Sequence, residues 1–169
     1  ITVLAFPTPL GDTGEPLKPA SVTGNWDIKW ENCLFETFDE PIKLATTTAN
    51  NPHWVEFTFS EEELVRTVEF PSINSMSHGW CYVPGVNVTV KAILPDGKAE
   101  TVLHADLPQS SWQDESPISF ACPEVPGAKK YRIEIVNQHD IVIKSLRLLS
   151  AARKNSWESE AGWTLRSSE

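Results

Sequence analysis

From Trp54 onward the chain alternates apolar and polar residues in short runs broken by proline and glycine, and nowhere before residue 150 does a helical period last three turns. Val55, Phe57 and Phe59 alternate with Trp54, Glu56 and Thr58; the polar stretch Ser60 to Glu63 then gives way to Leu64–Phe70. Val86, Val88 and Val90 alternate with Asn87, Thr89 and Lys91, and Pro95-Asp96-Gly97 predicts a hairpin turn before Thr101–Leu103. Ile118–Cys122, a turn at Pro126-Gly127, Tyr131–Val136 with Ile133 and Ile135 inward, and Ile141–Leu149 complete seven consecutive strands. Period two puts one face of each strand in a core, so the expected fold is all-β, an antiparallel β-sandwich of jelly-roll type.

A chain of 169 residues holds one domain with a real core and is short for two. No apolar run approaches the roughly 20 residues of a membrane span. The net charge of −9 repels phosphate backbones and anionic lipid, which argues against nucleic acid and membrane as partners. The first residue is Ile1, with no charged segment leading into an apolar core, so the chain is expected to be a mature or excised piece. Pro7, Pro9, Pro16 and Pro19 predict an extended segment over 1–22, ahead of a sandwich over 23–150 that opens with Trp26, Ile28 and Trp30 in alternation. Residues 151–169 are polar, with Trp157 and Trp163 at a spacing neither period explains, and are expected to be a linker or docking tail. Cys33, Cys81 and Cys122 stand too far apart in sequence for a C-x-x-C metal pair; they are expected to be small buried apolar residues, with a single disulfide bridge as the alternative that an odd count leaves open.

If successive strands reverse direction, alternate connections share a rim. One rim gathers Asn50, Asn51 and His53, then Asn74–Tyr82, Gln109–Asp114 and Asn137–Asp140; the other gathers Ser60–Glu63, Pro95–Gly97 and Val125–Gly127. Aromatic rings, amides and carboxylates on one rim suit a hydroxyl-rich ligand, because a sugar presents hydrogen-bonding groups and flat C–H faces together.

The runs His53-Trp54-Val55-Glu56-Phe57-Thr58-Phe59, Val65–Phe70, Val86–Lys98 and Lys130–Ile135 together resemble the galactose-binding-like, or discoidin-like, sandwich over about residues 45–150. The tail from Ala152 to Trp163, with Ala152-Arg153, Trp157-Glu158 and Ala161-Gly162, resembles a segment following such domains in α-L-rhamnosidases of glycoside hydrolase family 106. Gly24-Asn25-Trp26 is also similar to sugar-binding sandwich segments of those enzymes. The resemblance implies an accessory module of a secreted or periplasmic glycan-degrading protein. Its implied partners are a plant or microbial polysaccharide or oligosaccharide and a neighbouring catalytic domain.

The expected ligand-binding residues are Trp80, Trp112, Tyr82, His78, Asn74, Gln113, Asp114, His53 and His139. Loop aromatics flanked by polar residues make platforms, whereas Trp54 at the head of a strand is expected to be buried or to pack at the rim. His53, His78 and His139 share a rim but show no H-E-x-x-H pairing, so a transition-metal site is disfavoured. No motif demands a cofactor; a structural calcium ion is the better metal reading, with hard oxygens from Asp39, Glu40, Asp106, Asp114 and Asp140, though their spacing selects no set. Asn87-Val88-Thr89 matches the glycosylation pattern, which matters only in a eukaryotic secretory host. There is no G-x-S-x-G elbow and no Gly-rich phosphate loop, and the acids fall in solvated turns such as Glu61–Glu63 or at outward positions such as Glu56 and Glu134. The expectation is a non-catalytic carbohydrate-binding module; the alternatives are an interdomain-packing sandwich without its own ligand, or a small polysaccharide-active enzyme.

Overall fold

A computed structural model describes residues 16–26, 42–70, 73–75, 85–107, 118–143 and 146–150. In chain order the strands are β1 (Ser21–Gly24), β2 (Ile42–Leu44), β3 (His53–Thr58), β4 (Thr67–Phe70), β5 (Ile73–Ser75), β6 (Val86–Ile93), β7 (Ala99–Asp106), β8 (Ile118–Ala121), β9 (Lys130–Asn137), β10 (Ile141–Ile143) and β11 (Arg147–Leu149). One antiparallel sheet has the order β1-β3-β9-β6-β7; two three-stranded sheets, β2-β10-β5 and β11-β4-β8, complete an all-β jelly-roll sandwich.

The alternation read from sequence is the alternation of faces. Val86, Val88, Val90 and Ala92 of β6, with Tyr131, Ile133 and Ile135 of β9 and Val55 and Phe57 of β3, point inward against Val68, Phe70, Phe120 and Leu148. Each such large side chain taken out of water contributes about 2–3 kcal/mol. Phe70 and Phe120 meet edge to face with centroids 6.4 Å apart, and Phe59 meets Tyr131 in the same way at 6.3 Å.

Two departures from the expected strand list have local causes. The segment Ile141–Leu149 is two strands in different sheets, and β5 extends the line of β4 in the same way; β4 pairs with β11 while β5 pairs with β10. Taking each pair as one interrupted strand restores seven runs of alternating direction from β3 onward. Between β6 and β7 the register slips at Val90/Lys91, so Val102 is an extra residue and Val102 and Leu103 are buried in succession.

Residues 16–22 also join the body: Leu17 N donates to Leu148 O at 2.8 Å, Pro16 bridges Leu149, and β1 lies along β3. Gly24 marks the closest approach there, since a Cβ on it would stand 2.5 Å from Trp54 O, and a side chain would force β1 off the sheet edge. Beyond Gly24, Asn25 substitutes for a strand residue: its Oδ1 accepts from Trp54 N at 2.7 Å and its Nδ2 donates to Pro52 O at 3.0 Å.

Glu69 was not anticipated. It lies on the outer side of β4 and is fully buried, with Arg147 on β11 and Ser119 on β8 directly opposite; Arg147 Nη2 donates to one carboxylate oxygen and Ser119 Oγ to the other at 3.1 Å. A buried carboxylate persists only with such partners. The outward Glu56 and Glu134 do lie on the solvent side of the large sheet, in ion pairs with Lys130 at 3.1 Å and Lys91 at 2.8 Å.

Cys122 is fully buried beneath this core, and burial pushes its thiol up to about 12. In a Cys33→Ser/Cys81→Ser background, Cys122 is expected to stay unlabelled by a thiol reagent at pH 8 until denaturant unfolds the domain; labelling at the rate of an exposed thiol would contradict its burial. Cys33 and Cys81 lie outside the described residues.

Candidate functional site

Strand register fixes which connections share a rim. His53 pairs with Ile135, Val86 with Asn137 and Asn87 with Asp106, so the starts of β3 and β6 and the ends of β7 and β9 lie at one pole. Thr58, Lys130, Ile93 and Ala99 pair in one row at the other. There Phe59 N donates to Lys129 O at 2.8 Å and Glu62 Oε1 accepts from Gly127 N at 2.6 Å, which gathers Ser60–Glu63 and Val125–Gly127 as expected.

The first pole is built around Asn137, the last residue of β9 and fully buried. Its Nδ2 stands 3.3 Å from Leu44 O, 2.9 Å from Ala45 O and 2.8 Å from His139 O, and its own carbonyl accepts from Thr47 N at 2.9 Å. Asp140 adds a second clamp, Oδ1 accepting from Thr46 N at 2.9 Å and Thr46 Oγ1 at 3.1 Å. Thr47 Oγ1 closes the connection on itself by donating to Asn51 O. The loops after β2 and after β9 are thereby one hydrogen-bonded platform that holds Asn50, Asn51, Gln138, His139 and Asp140 exposed on its surface. Gln138 N donates to Gly85 O at 3.0 Å, and Gly85 has φ +85° with the Gln138 side chain where a Cβ would stand, so only glycine fits.

Of the expected ligand residues, His53 and His139 stand on this rim. His53 is half-buried at the head of β3, with Nε2 2.7 Å from Ala45 O, and His139 is exposed. Asn74 lies in β5 opposite Val142, one residue before Ser75, which pairs with Ile141 at the same pole. His78, Trp80, Tyr82, Trp112, Gln113 and Asp114 lie outside the described residues. The residues that bracket two of those segments are at the rim: Ser75 and Gly85, and Leu107, whose N donates to Val86 O at 2.8 Å. Trp54 is half-buried on the outer face of the large sheet, with the Arg132 guanidinium 4.2 Å from its ring centroid. Trp26 is in the core.

Sequence reasoning placed Asn137 on this rim but did not anticipate its buried, clamping role. Its signal was present, because Tyr131, Ile133, Ile135 and Asn137 continue one inward-facing series and the last member is polar. Of the carboxylates considered for calcium, Asp106 Oδ1 accepts from Asn87 Nδ2 at 3.1 Å and Asp140 is bound to Thr46, while Asp39, Glu40 and Asp114 lie outside the described residues. Among the described residues no three His, Cys, Asp or Glu side chains converge as metal ligands, and no helix is long and apolar enough to cross a membrane.

The fold defined by these sheets is that of the discoidin-like sandwich as found in family 32 carbohydrate-binding modules and F5/8 type C domains. The family 32 module of AlyQ in complex with 4,5-unsaturated mannuronic acid superposes over 80% of this chain and 98% of its own, at 13% identity and a TM-score of 0.52. An F5/8 type C domain from Bacteroides fragilis covers 84% and 99% at 10% identity and 0.55, and the family 32 module of C. perfringens NanJ in complex with galactose covers 76% and 91% at 10% and 0.50. No protein-family profile and no curated protein matches the sequence.

Proposed function

We propose that this domain is a non-catalytic carbohydrate-binding module that takes a sugar at the rim where His53, His139 and Asp140 meet. The observation that carries this reading is the joint platform: loops of amide, imidazole and carboxylate side chains, 92 to 94 residues apart in sequence, are locked together and left facing solvent at this pole. Modules of the same fold hold galactose and an unsaturated mannuronic acid, which supports a saccharide as the ligand class. The stacking surfaces are assigned to Trp80, Tyr82 and Trp112, with His78, Asn74, Gln113 and Asp114 as hydrogen-bonding groups, because the segments carrying them leave or enter at this rim. A parent protein that degrades glycans, of the family 106 rhamnosidase kind suggested by the tail, and a secreted or periplasmic location complete the reading; a structural calcium ion at the same loops is compatible with it.

Two or three ring contacts, each contributing on the order of 1 kcal/mol beyond burial, give affinities of about micromolar to millimolar. A glycan array followed by calorimetric titration of the best ligand tests this. Saturable binding that falls at least about tenfold in Trp80→Ala and Trp112→Ala is expected. Absence of any glycan ligand would leave the packing role as the better reading, and new reducing ends after long incubation with polysaccharide would overturn the non-catalytic assignment.

A further inference from the structure

His53 is the one described rim side chain whose chemical state the geometry settles. Its Nε2 lies 2.7 Å from Ala45 O, and a carbonyl oxygen can only accept, so Nε2 carries the proton. The same carbonyl also accepts from Asn137 Nδ2 at 2.9 Å, which uses both of its lone-pair directions and anchors the ring to the loop platform. In the neutral imidazole the proton on Nε2 leaves Nδ1 as a bare acceptor, on a ring that is half-buried and held in place. The rim thus holds an oriented acceptor in His53 Nδ1, which a hydroxyl group can meet by donating its proton.

We propose that His53 is a specificity-determining residue of the rim: held by Ala45 as the Nε2–H tautomer, it presents Nδ1 to a hydroxyl of the bound sugar and selects ligands that can donate there. This rests on the rim being the saccharide site and assigns one polar contact within it. Substitution separates the two nitrogens. His53→Gln places an amide N–H where Nε2 was, keeping the tether to Ala45 O while removing the acceptor; His53→Asn keeps an acceptor near Nδ1 and loses the tether.

The experiment combines imidazole nitrogen NMR of the ligand-free domain at pH 8 with titrations of galactose, oligogalacturonate and the strongest array ligand. The His53 signals, identified among the four histidines by their loss in His53→Gln, are expected to show Nε2 protonated and Nδ1 bare, with Nδ1 shifting when ligand binds. His53→Gln is expected to unfold at the wild-type temperature and to bind about tenfold more weakly, the loss of one hydrogen bond. His53→Asn is expected to unfold earlier. An Nδ1–H tautomer, or undiminished binding by His53→Gln, overturns the assignment while leaving the saccharide site standing. A wild-type domain that binds none of the sugars overturns the site itself.

Discussion

Replacing Asn137 by alanine is expected to lower the unfolding free energy by about 2–4 kcal/mol, one of the two largest effects of any single change described for this domain. The amide withdraws a donor from three carbonyls at once, Leu44, Ala45 and His139, which come from stretches about 90 residues apart in sequence. Because Asn137 is fully buried, water cannot replace the missing N–H groups without opening the rim. Asn137→Asp is expected to be worse, since it sets carboxylate oxygen against the same carbonyls. Urea denaturation measures the loss, and hydrogen exchange reports where it falls. Faster exchange should be confined to the amides of Thr46–Asn51 and Gln138–Ile141, with β6 and β9 still protected. Uniform loss of protection, or a change under about 0.5 kcal/mol, would remove Asn137 from its role as the clamp between the two loops.

The second large effect is expected at Tyr131, at the opposite pole. Its ring is fully buried against Phe59, its hydroxyl donates to Glu63 O at 2.7 Å and accepts from Val65 N at 3.4 Å, and it thereby ties the connection after β3 to β9. Tyr131→Ala should cost about 3–5 kcal/mol through the cavity it leaves, and Tyr131→Phe about 1–2 kcal/mol through the two unanswered backbone groups. The pair of variants separates packing from hydrogen bonding. Burial raises the Tyr131 phenol above the ordinary tyrosine value, with the Val65 hydrogen bond pulling weakly the other way. In alkali the unfolded chain therefore gives up its phenolic proton first, near pH 10. The stabilisation is complete below that pH and is lost as pH rises toward the folded-state value. Cys122 acts in the same sense from about pH 9, its ordinary value being 9.0 and its folded value about 12. Tyr131→Phe should flatten the decline of stability above pH 10, and a slope identical to wild type would assign the alkaline loss elsewhere.

The two poles were legible because they follow from alternation and turn chemistry alone. Once Val86–Val90 and Tyr131–Ile135 are recognised as period-two strands, connectivity dictates that His53 and Asn137 share an end. The division of Ile141–Leu149 into β10 and β11 was not legible, since both halves are apolar and only their different partners, β5 and β4, separate them. The consecutive burial of Val102 and Leu103 depends on a slip against β6 that no local residue announces. The burial of Glu69 was not legible either; its partners Arg147 and Ser119 lie 78 and 50 residues away, and a charge is readable as buried only when its counter-charge has been placed. The platform at the rim shares this character. Single asparagines, histidines and threonines at loop edges are common in sequence, and the convergence of Asn137 and His53 on Ala45 O and of Thr46 on Asp140 is a property of the sheets.

Pro16 bridges Leu149, and Leu17 donates to Leu148, beside Arg66 and Thr67 at the far pole from His53. The first and last described segments of the sandwich therefore lie side by side at one pole. Anything joined to the sandwich through those two segments would sit at the opposite end from His53 and leave that rim uncovered.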